Sequence, residues 1–203
     1  MTVYSYNLKT LFIYLNDPIN KKIKVYQTSD NITRISDEKD ITIAYNFVGL
    51  NIPKNGPVNL EKEQIEKLNN SLKLAGFNDT LEFNPLPKFI IGHIESLDKH
   101  PDSDHLNIAK VNIGSKKIQI VSGSPNIQND INVVVALPGA VMPNGQMIFE
   151  GQLRGVDSYG MMTSPRELKL KNAPTVPGML ILPDGFGSVG EEFDFQKGDL
   201  IFQ

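Results

Sequence analysis

Residues 89–137 read FIIGHIESLDKHPDSDHLNIAKVNIGSKKIQIVSGSPNIQNDINVVVAL, and the rhythm of this stretch decides the fold. Apolar, β-branched runs at Phe89–Leu97, Leu106–Ile113, Lys117–Val121 and Asn132–Leu137 are parted by clusters of Pro, Asp, Ser, Asn and Gly. Such clusters favour turns, because their side chains bond the local backbone or tolerate unusual dihedrals. No helical period runs through the stretch. Two further runs, Met147–Leu153 and Met179–Leu182, extend the pattern toward the C-terminus. Many short strands with no long helix predict a sandwich or a barrel.

Upstream the pattern is mixed. Leu11–Leu15, Lys22–Gln27 and Asp40–Tyr45 read as strands, with Ser29-Asp30-Asn31 and Ser36-Asp37-Glu38 as turns. Between Asn59 and Ala75 the period changes: Leu60, Ile65, Leu68, Leu72 and Ala75 fall on one helical face. Asn59 is the expected N-cap and Gly76 the expected stop. The segment Asn84-Pro85-Leu86-Pro87 favours an extended connector. The chain is therefore predicted to be mainly β, with a small α+β domain at 1–84 and an all-β domain at 88–199.

Composition excludes more than it assigns. The 203 residues contain no cysteine, which removes disulfides, thiolate nucleophiles and cysteine-ligated metals. No apolar run reaches the ~20 residues of a membrane-spanning helix, and Met1–Tyr14 lacks the features of a secretory signal. A cytoplasmic protein is expected. The formal net charge is −3, and between Lys88 and Lys197 ten basic side chains are set against twelve acidic ones. Bulk electrostatics therefore gives no support to nucleic-acid binding, and any such site must be a local patch.

Three motifs invite chemistry and fail for want of context. Gly185-Phe-Gly187-Ser-Val-Gly190 matches a dinucleotide fingerprint, but no room remains before Gln203 for the helix and second strand that fingerprint requires. His100-Pro-Asp102-Ser-Asp104-His105 offers metal-type ligands within an interstrand loop, where polar residues are ordinary; Asp104 is expected to fix the loop by accepting amide hydrogen bonds. Ser96 and Lys99 have the spacing of an acyl-transfer pair without its companion motifs. No catalytic residue, metal ligand, cofactor or small-molecule substrate is assigned.

One ordered series of blocks is more specific: Ile90-Ile91-Gly92-His93-Ile94-Glu95, His100–Leu106, Gln119–Asn126, Val135–Pro143, Leu153–Met162 and Ser164–Leu168. In order and spacing it resembles the tRNA-binding domain of the phenylalanyl-tRNA synthetase β subunit, also found at the C-terminus of methionyl-tRNA synthetases. The two-part layout resembles free-standing bacterial proteins of the YtpR type, which carry no synthetase core. Ser122, Thr163-Ser164-Pro165 and Asp102 depart from the family's usual Cys, Cys-Ser-Ala and Asn.

The resemblance implies a C-terminal OB-fold β-barrel, a non-catalytic protein, and tRNA or another structured RNA as partner; a homodimer is compatible with it. OB barrels bind across their second and third strands and the bordering loops. Lys110, Lys116 and Lys117 are the cations expected there. Arg154 supplies a planar fork for phosphate, with Gly155 allowing close approach. Ser158 offers a hydroxyl, and Ser122 and Asn126 flank a turn at the end of the third strand. Pairing of Arg154 with Asp157 is the competing reading of that arginine. A module that docks a synthetase or another translation protein is the alternative function.

Overall fold

The computed structural model describes residues 2–18, 21–53, 55–84 and 86–203; Pro85 of the expected connector lies outside the described residues. The chain forms two compact units, Met1–Pro85 and Leu86–Gln203.

The first unit is an antiparallel sheet with one helix. Its strands are β1 (Thr2–Ser5), β2 (Thr10–Tyr14), β3 (Ile23–Ser29), β4 (Ile32–Asp37), β5 (Thr42–Val48) and β6 (Gly56–Pro57), followed by α1 (Lys62–Leu74). They lie in the order β3-β4-β5-β2-β1-β6. Alternation sends Leu11, Ile13, Tyr45 and Phe47 to one face, where they meet Ile65, Leu68 and Leu72 of the helix. The helix starts two residues beyond the expected cap. Its N-cap is Glu61, whose N–H donates to the Gln64 side chain at 2.8 Å, and this pairing satisfies an amide that Asn59 does not reach. It ends as expected at Gly76, with φ +83° and Phe77 N–H donating to Leu72 O at 2.9 Å, so the last carbonyls are capped by the backbone itself. The sequence reading missed β1, β4 and β6. In β4 the polar residues Thr33, Arg34 and Ser36 interrupt the apolar signal between two turns.

The second unit is built on β7 (Phe89–Lys99), β8 (Asn107–Asn112), β9 (Lys117–Ser122), β10 (Ile131–Ala136), β11 (Gly151–Leu153), β12 (Val156–Ser158), β13 (Met161–Met162) and α2 (Phe195–Gly198). Five strands form one sheet in the order β13-β10-β7-β8-β9, while β11 and β12 form a separate hairpin. Three consecutive strands, with the fourth added beside the first and the last beside the fourth, give the OB-type barrel that the resemblance implied. Ile94, Val111, Ile120, Val133 and Val135 fill the barrel. On the opposite face of β7 and β10, Ile91, Val134 and Ala136 pack against Leu168, Leu180 and Phe193. These two strands are thus covered on both sides, which is why Val133–Ala136 is an unbroken apolar run and not an alternating one.

Two expected strands are corrected by this double cover. Met179–Leu182 forms only an isolated bridge, Ile181 to Val133; it runs along the sheet edge with Leu182 N–H on Asn132 O at 2.8 Å, sending Met179 and Ile181 to the barrel core and Leu180 and Leu182 to the covering layer. Of Met147–Leu153 only Gly151–Leu153 is a strand; Met147 makes a bridge to Val141, and Ile148 turns back into the covering layer. Of the glycines at 185–190, Gly187 and Gly190 serve packing, while Gly185 is open and turns the chain at φ +73°. A Cβ on Gly190 would stand 3.0 Å from Gly114 Cα, so the two loops touch backbone to backbone.

A polar lock closes the first unit. Thr42 Oγ1 and Tyr45 Oη each donate to Asp79 Oδ2 at 2.6 Å, and Arg34 Nε donates to Thr42 Oγ1 at 2.7 Å. Burial alone would raise the Asp79 carboxyl; the hydrogen bonds from Thr42 and Tyr45 and the Arg34 charge outweigh it and hold the group below its usual value. A depressed carboxyl stabilises the fold fully above its unfolded value near 3.8, and that contribution is lost as pH falls through the lower folded value. Asp79→Asn is therefore expected to lower the melting temperature at pH 7 and to flatten its fall between neutral and strongly acid solution. Parallel melts of parent and variant over that range check this; identical pH profiles would refute the lock.

Candidate nucleic-acid interface

Strand β9 is the edge of the five-stranded sheet. All six of its residues lie in register with β8, and because ladder hydrogen bonds alternate between the two sides of a strand, the backbone of Gln119 and Val121 is turned to the free side. The last residue of β12 and the one after it meet them. Tyr159 N–H donates to Gln119 O at 2.9 Å, and Ser158 Oγ accepts from Val121 N–H at 3.1 Å. Two residues later β13 pairs with β10, through Ala136 with Met161 and Val135 with Met162. Residues 158–162 therefore carry the wall from one sheet edge to the other and close the barrel. Gly160 sits at the crossing with φ +139°, where a Cβ would lie 2.9 Å from Ala136 O.

That seam also sets the hairpin. With Leu153 opposite Val156, the connection is the two residues Arg154-Gly155, at φ 49° and 79°. Two positive φ values in a two-residue loop define a type I′ turn, which favours Asn-Gly and strains a long side chain at the first position. Arg154 is exposed at this tip, and its Nη1 donates to Asp102 O at 3.2 Å. Among the described residues no carboxylate lies within ion-pairing distance of it. The expected rival, Asp157, instead accepts from Gln152 Nε2 at 2.8 Å.

The strand cations lie on the outer face of β8 and β9. Ala109, Val111, Ile118 and Ile120 point into the core, so Lys110, Lys117 and Gln119 point away from it. Lys110 is exposed and pairs across the ladder with Gln119. Lys117 lies opposite Asn112, with Nζ 2.8 Å from Glu95 Oε2. That hydrogen bond holds the Glu95 carboxyl below its usual value. Lys116 is exposed in the β8–β9 turn. Lys117 stands two residues, about 7 Å along the strand, from Gln119, the partner of Lys110, so the three cations gather at one end of β8 and β9.

The remaining expected contacts are engaged within the fold. Besides its bond from Val121, the Ser158 hydroxyl donates to Gly160 O at 3.3 Å. Ser122 Oγ accepts from Ser124 N–H at 3.2 Å. Asn126 acts as a surrogate strand, since its Oδ1 accepts from Met179 N–H and its Nδ2 donates to Met179 O, both at 2.9 Å. In the loop between β7 and β8, Asp104 does not do the fixing expected of it. Ser103 Oγ accepts from His105 N–H at 3.3 Å and His100 Nδ1 accepts from Asp102 N–H at 3.1 Å. The His100 ring was missed as a structural element; no local pattern reveals a partner on the hairpin.

Comparison with known proteins adds to this geometry. Residues 89–185 match a family described as "Putative tRNA binding domain", and residues 19–84 match a domain of unknown function, DUF4479. The chain is 38% identical over 190 residues to "Putative tRNA-binding protein YtpR" of Bacillus subtilis, covering 92% of this chain and 94% of that protein. It is 45% identical over 106 residues to the phenylalanine–tRNA ligase β subunit of Ralstonia nicotianae, covering 49% of this chain and 13% of the subunit. A crystal structure of the C-terminal domain of Plasmodium vivax p43 is similar with a TM-score of 0.37 and 28% identity, covering 54% of this chain and 63% of that one.

The seam makes a direct prediction. Ser158→Ala strands the Val121 N–H, whose residue is 7% exposed, and should lower the unfolding free energy by about 1–3 kcal/mol. Denaturant melts with an unchanged slope measure it; a loss within a few tenths of a kcal/mol would show that water replaces the hydroxyl.

Proposed function

The chain belongs to the family of the YtpR protein, and from that premise we propose that its barrel binds tRNA without catalysing a reaction on it. The contact set is Arg154 at the hairpin tip, with Lys110, Lys116 and Lys117 along the strands. Ser158, Ser122 and Asn126 shape the surface on which these cations stand. The observation that carries the reading is the state of Arg154: exposed, held at φ 49°, and anchored among the described residues only by the Asp102 carbonyl oxygen. A strained residue persists where the surrounding structure or a function requires it. A guanidinium so placed keeps most of its donors free for a phosphate or a base.

Lys110 is the second contact, because it is exposed with no carboxylate of the described residues within ion-pairing distance. Lys117 is weaker, since RNA must compete with Glu95 for it. Soluble, cytoplasmic action follows from the same reading; among the described residues no helix is long and apolar enough to cross a membrane. The same proposal holds the two units to be independent domains, so that residues 86–203 alone melt cooperatively and retain RNA binding.

Arg154→Asn tests the assignment, because asparagine suits the turn but cannot grip a phosphate. The variant is expected to melt at or above the parent temperature and to bind unfractionated bacterial tRNA more weakly by about 1–3 kcal/mol. Its log–log salt slope should shrink by about 0.7–0.9, the share of one phosphate contact. Arg154→Lys should recover the slope more fully than the affinity. An unchanged slope in folded Arg154→Asn would remove Arg154 from the interface. A flat slope in the parent protein would favour a protein-docking role for the barrel.

A further inference from the structure

We infer that His100 is the positioning residue for Arg154: a buried imidazole that ties the arginine's hairpin to the loop between β7 and β8. The inference rests on the RNA reading above and names the part that orients its central contact.

His100 is 4% exposed, among the few buried polar residues of the barrel unit. Each ring nitrogen has one partner, and the partners differ in kind. Nδ1 faces the Asp102 N–H at 3.1 Å and so must accept; Nε2 faces Leu153 O at 3.0 Å and so must donate. Only the neutral ring with its proton on Nε2 satisfies both. The two partners bracket Arg154. Leu153 is its chain neighbour on β11, and Asp102 supplies the carbonyl that receives its Nη1 at 3.2 Å. One ring therefore fixes both the backbone that carries the guanidinium and the peptide that aims it.

The hairpin needs that support. β11 and β12 have three residues each, and a two-stranded ribbon of that length is not stable alone in water. At its base it is held to β9 by Ser158 and by Gln119 Nε2, which donates to Asp157 O at 2.7 Å. Near its tip the anchors are His100 and Arg154 itself. Loss of the His100 donor leaves the base in place and lets the tip swing, so the effect falls on where Arg154 points.

The test is a double-variant cycle read by binding of unfractionated bacterial tRNA, with melting temperature recorded throughout. His100→Asn keeps an acceptor near the Nδ1 position and loses the reach to Leu153; His100→Gln keeps a donor near the Nε2 position. In the Arg154 background, His100→Asn is expected to weaken binding by roughly two- to tenfold, the worth of one neutral hydrogen bond. His100→Gln should stay within about twofold of the parent, a rescue that a purely volumetric role would not produce. In the Arg154→Ala background, His100→Asn should add less than about twofold, since the group it positions is gone. Additive losses in the double variant, or equal losses for Asn and Gln, would overturn the inference while leaving RNA binding intact. Parent-like binding by Arg154→Ala would instead remove Arg154 from the interface and this inference with it, whereas a parent protein that binds no tRNA would overturn the RNA reading itself. Should His100→Asn fail to fold, a loss beyond about twofold for well-folded His100→Gln refutes the positioning role, since that variant keeps the donor to Leu153.

Discussion

The closing of β9's free edge is the interaction on which the rest of the second unit depends. An edge strand with unpaired amides and carbonyls is a liability, and a five-stranded sheet removes it only by returning chain to that edge. Here the return is economical: one backbone bond from Tyr159 and one side-chain bond from Ser158, then a glycine that passes within contact of Ala136 O. Because Ser158 is fixed to Val121, β12 must run beside β9. Because β11 is in register with β12, Arg154-Gly155 must project at the end of the sheet where the β7–β8 loop begins. The position of the candidate contact is thus a consequence of barrel closure.

The second constraint is the double cover of β7 and β10. A strand buried on both faces loses its alternation, and the chain that covers it is apolar without being a strand. This decided what could be read from residues 89–182. The inner strands were legible because their apolar runs are bounded by turn residues. Met147–Leu153 and Met179–Leu182 differ from the reading because a segment that packs on or beside a sheet through isolated bridges has the composition of a buried strand, and only tertiary context separates them. The short strands β1, β4 and β6 were invisible for the opposite reason, as their apolar signal is too brief or too interrupted.

At the candidate site, motif order located Arg154, and the Arg-Gly pair between Leu153 and Val156 is a readable two-residue turn. What the sequence could not show is which hydroxyls and amides are already engaged. Ser158, Ser122 and Asn126 read as contact residues from their polar side chains beside turns, and the structure adds that each is also bonded within the fold. The partners that occupy Ser158 and Asn126 lie 37 and 53 residues away, beyond any local pattern. The same blindness applied to His100, which read as a loop histidine and is a buried bridge to Leu153.

Charge bears on how the surface must work. With a net charge of −3, the molecule exerts little long-range attraction on a polyanion, so affinity has to come from contacts made at close range. The strand cations illustrate the difficulty: Lys117 lies 2.8 Å from Glu95, and its transfer to a phosphate would leave that carboxylate beside the RNA. Arg154 has no such competitor among the described residues, since Asp157 is held by Gln152 and Asp102 contributes only its carbonyl. Of the four cations in the contact set it is also the one whose backbone pays for its place, at φ 49° in a turn that asparagine would fit better. A cost with no internal ion pair to offset it is best balanced by an interaction outside the chain, and a guanidinium aimed by a neutral imidazole and a carbonyl is a donor array for an anionic, hydrogen-bonding partner. On that reasoning orientation, more than summed charge, is the property that suits this barrel to RNA.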